Sequence, residues 1–282
     1  MRIAYFVHDV QDAAVVRRTG LLRDEGLEVT VAGFRRRALL AGEPGRQGAV
    51  DLGLTRDGRL LRRVLSVLGH VLRPGRIAAV AAGADVLVAR NLEMLVLARR
   101  VRRPGQRLVY ECLDIHRLLL GMGPASRLLH RIEDWALQGT DLLVISAPAF
   151  LNSYFRARRG YRGAALLVEN KVPAAEARLP APARPPAPAG GRPWVIGWFS
   201  MLRCQRTLEM LGRLAAGSGG RIEVVIAGIP SAAVFPDFAA QVAAMPGLRY
   251  LGPYTKADLP RLYGQIHFVW AIDYFEEGLN SA

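Results

Sequence analysis

Short apolar runs alternate with amphipathic segments from residue 1 to about residue 172. Runs such as IAYFV, DVLVA and LLVI have the length and branched content of buried strands, whereas the segments between them show helical spacing. Continuous apolar strands separated by helices are typical of a parallel sheet covered on both faces. The predicted strands are 3–7, 28–32, 50–54, 85–89, 107–111, 142–145 and 166–168, and the predicted helices are 13–24, 59–71, 92–101, 126–137 and 149–158.

A second alternating pattern follows a proline-rich connector. Residues 173–193 contain seven prolines among alanines, which indicates a stiff, extended linker. The predicted strands beyond it are 195–199, 223–227, 249–251 and 268–272, and the predicted helices are 207–215, 233–244 and 257–263. We therefore predict two Rossmann-like, doubly wound α/β domains at 1–172 and 194–282. Because four strands make a small domain and the sequence stops in a loop, we expect the second domain to be incomplete and the sequence to be truncated.

The positive charge is concentrated in the first domain. The net charge is +14, and residues 1–172 hold 28 basic and 16 acidic residues, whereas residues 173–282 hold 10 and 8. This excess predicts an anionic partner, either lipid headgroups, a phosphate-linked acceptor or nucleic acid. Solvated arginines of an Arg-rich composition are the alternative. The stretches Phe34–Leu40 and Arg59–Arg76 mix arginine with apolar residues as membrane-interface segments do.

The aromatic residues, the cysteines and the apolar runs of the sequence argue against several classes of protein. Basic residues are not interleaved with aromatic ones, which argues against a nucleic-acid partner. Cys112 and Cys204 lack the spacing of a zinc site or a disulfide framework. His8 and Asp9 interrupt the first apolar run, unlike a signal peptide, and no apolar run is long enough to cross a bilayer. We expect a cytoplasmic protein.

The segment WVIGWFSMLRCQRTLEML, residues 194–211, opens the second domain. Its pattern predicts a buried strand, a polar turn with Arg203 and Arg206, and a helix that begins at Thr207. Two guanidinium groups beside a helix amino terminus are suited to hold an anion such as a phosphate. The alternative is a pair of solvated arginines that precede a helix.

The chain resembles the bacterial family-four glycosyltransferases of the GT-B architecture, and in particular members that assemble exopolysaccharides. The resemblance covers nearly the whole length and rests on the order of several segments rather than on one motif. These segments are GLEVTVAGFRR, VYECLDIHRLL, IEDWALQGTDLLVIS, VENKV, IGWFSMLRCQRTLEML, VVIAGIP and YLGPYTKADLPRLYGQIHFVWAIDYFEEG.

The resemblance implies a retaining glycosyltransferase that moves a hexose from a nucleoside diphosphate sugar to a saccharide, lipid-linked in the closest members. It implies a cleft between two lobes, with the nucleotide-sugar against the second lobe and the acceptor against the first. It also implies that no metal or other cofactor is required. The protein would then be peripheral on the inner face of the plasma membrane. A non-catalytic GT-B binding protein and a nucleotide-sugar epimerase remain alternatives.

The resemblance also implies roles for the two arginines. In the family this turn carries an arginine and, a few residues later, a lysine. Arg206 falls at the lysine position, whereas Met201 falls at the arginine position, so Arg203 would have to act in its place. Gly228 follows the VVIA strand, where it either allows the backbone to approach the nucleotide-sugar or serves as an ordinary turn glycine.

The other candidates lie at predicted strand ends. The resemblance implies a catalytic His116 and an acceptor-side Asp114 in ECLDIH, although Asp114 could equally cap the next helix. It also implies that Glu276 or Glu277 acts near the donor sugar. Asp9 follows the first strand, where the family often has a glycine-rich loop, and it is a candidate acceptor-side residue; the alternative is that Asp9 or Asp12 simply caps the next helix.

Overall fold

The computed structural model of the chain describes residues 1–35, 49–54, 74–169, 185, 187–188, 190–232 and 234–271. The chain divides into two compact units, Met1–Lys171 and Val172–Ala282. The predicted helix at 59–71 lies outside the described residues, as do most of the basic stretches Phe34–Leu40 and Arg59–Arg76. In the part of the chain that is described, no helix has the length and apolar character needed to cross a membrane.

The first unit contains a sheet of seven described strands, and all of its strand pairs are parallel. The order in the sheet is β3-β2-β1-β4-β5-β6-β7. This arrangement confirms the predicted α/β fold. The strands are β1 (Arg2–Val7), β2 (Glu28–Arg35), β3 (Val50–Leu54), β4 (Val86–Arg90), β5 (Arg107–Cys112), β6 (Leu142–Ile145) and β7 (Ala165–Leu167).

Helices connect these strands, and two of them were not predicted. The residues predicted as a helix at 149–158 form a π-helix, π1 (Phe150–Arg156). The unpredicted helices are α2 and α4; α2 lies in an apolar run that continues into β4, and α4 has only four residues. The α-helices are α1 (Ala13–Asp24), α2 (Gly75–Ala82), α3 (Leu92–Val101), α4 (Arg117–Leu120) and α5 (Pro124–Gln138).

The sheet of the first unit is buried on both faces. Successive residues of β1 enter different clusters: Tyr5 packs with Val15 of α1, whereas Phe6 packs with Leu95 of α3. Because strand side chains alternate between the two faces, burial on both sides requires the continuous apolar runs seen in the sequence. A charged side chain within such a strand is therefore buried, and it needs an oppositely charged or hydrogen-bonding group that is buried beside it.

The second unit contains a parallel sheet of four described strands in the order β10-β9-β8-β11. The strands are β8 (Trp194–Leu202), β9 (Ile222–Pro230), β10 (Leu248–Tyr250) and β11 (Phe268–Val269), and the helices are α6 (Gln205–Gly217), α7 (Phe238–Ala243) and α8 (Leu259–Tyr263). A short 3-10 turn, Lys256–Asp258, precedes α8.

Two predicted helix starts in the second unit are wrong. The helix predicted from Thr207 begins at Gln205, because the Cys204 side chain accepts the Thr207 amide and caps it. The helix predicted from residue 233 begins only at Phe238, because Asp237 caps it there by accepting from the Ala240 amide. Arg206 consequently lies in the first helical turn of α6, not in the turn before it.

Candidate functional site

The strand order of each sheet reverses at one place. In the first unit the chain winds outward from β1 on one side and from β4 on the other. Among the described strands of the second unit it winds outward from β8 through β9 to β10 and then returns to the other side of β8 with β11. Open parallel sheets bind ligands beside such a switch point, outside the carboxyl ends of the strands. The side chains at the ends of β1, β4 and β8 are therefore the first candidates.

A buried polar network lies at this edge of the first unit. Tyr5 of β1 donates a hydrogen bond to Glu111 of β5, and the Nε atom of Arg18 lies 3.0 Å from the other carboxylate oxygen of Glu111. Arg90 of β4 lies between the two strands; it donates to the Tyr5 hydroxyl at 3.3 Å and lies 3.9 Å from Glu111. Burial, with the charge of Glu111, raises the pKa of Tyr5. Tyr5 therefore remains a neutral donor.

The loop between β1 and α1 is joined to this network through Asp12. Its side chain accepts from the Ala14 amide at 2.8 Å and so caps α1, and it also lies 3.5 Å from the Arg90 guanidinium. His8 Nε2 lies 4.0 Å from the same carboxylate. Asp9 is buried and accepts from the Gln11 amide at 2.9 Å, so it stabilises the turn in which it lies. Asp12, and not Asp9, is the helix cap.

The junction of β4 and α3 contains a strained residue. Asn91 has φ of 73°, and it is the only residue other than glycine with positive φ in the described chain. Its amide donates to the Glu111 carbonyl at 3.2 Å, a bond that holds the junction against β5. Strained backbone of this kind is concentrated at ligand-binding edges.

The loop after β5 carries Asp114 and His116. His116 is the amino-terminal cap of α4, since its Nδ1 atom accepts from the Leu118 amide at 3.3 Å. An imidazole that accepts through Nδ1 carries its proton on Nε2 when neutral, which makes Nε2–H a donor. Asp114 is exposed, and its side chain does not cap α4. The helix-cap alternative for Asp114 is therefore wrong, because His116 occupies that position.

In the second unit, Arg203 directly follows β8 and Arg206 lies in the first turn of α6. Both Arg203 and Arg206 are exposed, whereas Cys204 and Thr207 beside them are buried. This alternation directs the apolar residues and Thr207 into the core and keeps the guanidinium groups at the carboxyl end of the strand. The first turn of α6 adds backbone amides and the positive end of a helix dipole at the same place.

Gly228 has a packing role in β9. Its φ is 144°, and a Cβ atom there would lie 1.8 Å from the Ser200 carbonyl oxygen. Its amide donates to Gly252 and its carbonyl accepts from the Tyr250 hydroxyl at 2.8 Å. These contacts require glycine whether or not a ligand approaches.

The remaining predicted site residues cannot be placed. Glu276 and Glu277 lie outside the described residues. Within the described ranges, no three His, Cys, Asp or Glu side chains are grouped as a metal site would need.

The sequence of a known relative decides the family. No family model matches the chain. The chain is 42% identical over 305 residues to the succinoglycan biosynthesis protein ExoL of Rhizobium meliloti (strain 1021), and the match covers 100% of this chain and 72% of ExoL. The chain belongs to the ExoL family.

Solved glycosyltransferases share the fold of this ExoL relative. The apo lipopolysaccharide outer core galactosyltransferase WaaB matches with a TM-score of 0.59 and 12% identity, over 92% of this chain and 70% of WaaB. Anabaena HepE, solved in complex with UDP, matches with a TM-score of 0.62 and 16% identity, over 95% of this chain and 73% of HepE. The GT-B fold that the sequence resemblance implied is confirmed.

Sequence reasoning missed the polar network of this ExoL relative. The predicted strand 85–89 stopped before Arg90, and Glu111 was only the last residue of the predicted strand 107–111. The available signal was a basic residue at the end of one predicted buried strand and an acidic residue at the end of the next. Their pairing depends on the register that sets Arg90 opposite Glu111, which the sequence alone does not supply.

Proposed function

We propose that the protein is a retaining glycosyltransferase that needs no metal ion. It transfers a hexose from a nucleoside diphosphate sugar to a saccharide acceptor, lipid-linked, during synthesis of a cell-surface polysaccharide. The observation that carries the proposal is the position of Arg206 in the first turn of α6, at the switch point of the second sheet. Membership in the ExoL family and the GT-B fold support the same reaction class.

The proposed role of Arg203 and Arg206 follows from the charge that develops in the reaction. As the bond between the sugar and the diphosphate breaks, negative charge grows on the diphosphate. Guanidinium groups and helix amides fixed beside it stabilise the transition state more than the bound substrate. These groups supply the positive charge for which other enzymes use a metal ion. Gly228 and one of Glu276 and Glu277 complete the proposed donor site.

The acceptor is proposed to bind the first unit beside the ends of β1 and β5. Asp9 and Asp114 lie at those ends, and His116 carries an Nε2–H donor for a hydroxyl or for the reacting centre. Hydroxyl groups of sugars are bound by such carboxylates and donors in fixed positions. The buried network under Asp12 keeps this edge rigid.

Nucleotide binding tests the donor site. We expect Arg206→Ala to weaken UDP or GDP binding by roughly 1–3 kcal/mol, the range for a lost hydrogen bond to a charged group. Arg213→Ala is the matched control, because Arg213 is also exposed on α6 but lies about two turns from its amino terminus. Calorimetry that gives equal affinities for wild type and both variants would remove Arg206 from the site.

Product analysis tests the reaction itself. The anomeric configuration of the transferred sugar, read by NMR, must equal that of the donor if the enzyme is retaining. Transfer must persist in EDTA. A changed sugar nucleotide formed without acceptor would indicate an epimerase instead, and nucleotide binding without any turnover would indicate a binding protein.

Attachment to the inner face of the membrane is the final part of the proposal. On the outer face of α5, Leu128 is 61% exposed and Trp135 is 43% exposed, with Arg127 and Arg131 exposed beside them. The Arg99 guanidinium lies 4.0 Å from the centre of the Trp135 ring. Apolar and aromatic side chains among arginines are typical of surfaces that bind anionic lipids.

Vesicle sedimentation tests this attachment. We expect binding to vesicles of phosphatidylcholine with phosphatidylglycerol, weaker binding at high salt, and loss of affinity in Leu128→Gln. Leu214→Gln, an exposed leucine in the second unit, is the control. Equal binding by both variants would contradict the role of α5, and binding to duplex DNA at least as tight would favour a nucleic-acid partner.

A further inference from the structure

A second buried polar cluster lies on the opposite face of the first sheet. Glu133 of α5 is fully buried, and the Tyr154 hydroxyl of π1 donates to its Oε2 atom at 2.5 Å. Arg159, which follows π1, has its Nε atom 3.4 Å from Oε2. The Oε1 atom of Glu133 has no hydrogen-bond partner among the described residues. The donor-site proposal makes no use of this cluster.

The cluster is joined to the loop that carries His116. Arg159 pairs with Asp134 and donates to the His130 carbonyl at 3.0 Å. The His130 ring in turn donates from Nε2 to the Leu119 carbonyl at 2.7 Å. Leu119 lies in α4, the four-residue helix that His116 caps. Two hydrogen bonds therefore connect Arg159 to the helix behind His116.

The start of the same loop is held from β5. The Cys112 thiol donates to the Asp114 carbonyl at 3.5 Å, and the Ser146 hydroxyl donates to the Leu113 carbonyl at 3.2 Å. Burial, together with the smaller effect of the nearby Glu133 charge, raises the pKa of the Cys112 thiol to about 12. Both ends of the loop are thus held by residues that contact or neighbour this cluster.

We infer that Glu133, Tyr154 and Arg159 form a positioning centre for residues 113–120, and that the charge on Glu133 decides how firmly the loop is held. With Glu133 ionised, Arg159 is fixed against α5 by two carboxylates, and His130 is held in place to bind α4. With Glu133 neutral, Arg159 retains only the less buried Asp134, and the loop loosens. This inference rests on the proposed function only for the statement that His116 and Asp114 contact substrate.

The protonation of Glu133 falls in an accessible range of pH. Its pKa is raised from 4.5 to about 7, because the upward effects of burial and of the Asp134 charge exceed the downward effects of the Tyr154 hydrogen bond and the Arg159 charge. The titratable or charged groups around it are Tyr154 of π1, Arg159, Asp134 of α5, and Tyr110 and Cys112 of β5. The His130 carbonyl of α5 is bound by Arg159.

Hydrogen exchange of the intact protein tests the inference without any substrate. After correction for intrinsic rates, amides of residues 113–120 should exchange several-fold faster below a midpoint near pH 7 than above it. Glu133→Gln should show the fast exchange at every pH, because its side chain cannot ionise. Glu28→Gln, an exposed residue at the start of β2, should behave like wild type.

Two further variants keep the test decisive if Glu133→Gln does not fold. Tyr154→Phe removes a hydrogen bond that favours the carboxylate and should raise the midpoint. Asp134→Asn removes a competing negative charge and should lower the midpoint. Midpoints that stay fixed, or that move in the same direction in both variants, would overturn the inference.

Kinetics separate this inference from the donor-site proposal. Glu133→Gln should lower kcat or raise the KM for acceptor while the affinity for UDP is unchanged. The pH profile of kcat in this variant should lack the transition near pH 7 that wild type shows when Glu133 ionises. If wild type binds no nucleotide, the proposed function fails but the exchange test still decides the inference. A variant that weakened UDP binding equally would indicate general loss of structure and contradict the positioning role.

Discussion

Gly228 of β9 lies opposite Ser200 of β8, and the two backbones are so close that a Cβ atom on Gly228 would be 1.8 Å from the Ser200 carbonyl oxygen. The contact lies next to the strand end that carries Arg203. A glycine at a ligand-facing strand end is readily taken as evidence of a nearby ligand. In this protein, the close packing of β8 against β9 is enough to require glycine at position 228.

Gly228→Ala should destabilise the second unit by at least about 2 kcal/mol, since it combines a positive φ with a steric clash. Gly219→Ala is the control, because Gly219 also has positive φ, 62°, but has open space around it. Its expected cost is about 1 kcal/mol, from the backbone alone. Urea denaturation measures both. Equal costs would show that the strands separate easily and that the clash is not what selects glycine.

Glu111→Ala should destabilise the first unit by about 3–5 kcal/mol, because it leaves the buried Arg90 without its carboxylate partner on β5. Glu25→Ala, at the exposed end of α1, should change stability by no more than about 0.5 kcal/mol. Chemical denaturation at neutral pH gives both values. A small effect of Glu111→Ala would mean that solvent reaches Arg90 once the carboxylate is removed.

Glu133 should favour global unfolding as pH rises, which is the opposite of its effect on the local opening of residues 113–120, because Glu133 becomes exposed to solvent only when the whole unit unfolds. Its pKa is raised from 4.5 to about 7 in the folded state, so between these values the folded protein holds a proton that the unfolded chain has lost. The free energy of unfolding therefore falls with rising pH in this window and levels off above pH 7. The span corresponds to roughly 3 kcal/mol. The measurement is the unfolding free energy of wild type minus that of Glu133→Gln, which should be lower at pH 8 than at pH 5 by roughly 2–3 kcal/mol, because most of the window from 4.5 to about 7 lies above pH 5.

The parallel sheets were predictable because the central strands are buried on both faces and are therefore apolar along most of their length. The same requirement hides the polar network. Glu111 and Arg90 each stand at the end of an apolar run, where periodicity assigns a charged residue to the solvent. Only the parallel register of β4 and β5 turns two isolated charges into a buried pair.

The site residues were predicted less completely than the fold for a second physical reason. Helix caps depend on single side-chain hydrogen bonds, which composition and spacing do not resolve. Cys204 and His116 act as caps although neither residue type is a preferred one, and both therefore displaced the predicted helix starts or cap assignments. Asp12 and Asp9 were equivalent in the sequence, and only the Ala14 hydrogen bond distinguishes them.

Asp12 has two roles that a pair of substitutions can separate. Asp12→Asn keeps a side-chain oxygen for the Ala14 amide but removes the charge that faces Arg90. Asp12→Ala removes both interactions, so it should be less stable than Asp12→Asn by about 1 kcal/mol, the usual contribution of an amino-terminal cap.

Urea denaturation at neutral pH compares the two Asp12 variants, with Asp24→Asn, an exposed residue in the last turn of α1, as the control. If Asn and Ala at position 12 are equally destabilising, the cap contributes nothing and Asp12 acts through Arg90 alone. If Asp12→Asn equals wild type, the Arg90 charge is satisfied by Glu111 and Tyr5 without help. An intermediate Asp12→Asn value is expected, because Arg90 is buried and its contact with Glu111, at 3.9 Å, is longer than its contact with Asp12, at 3.5 Å.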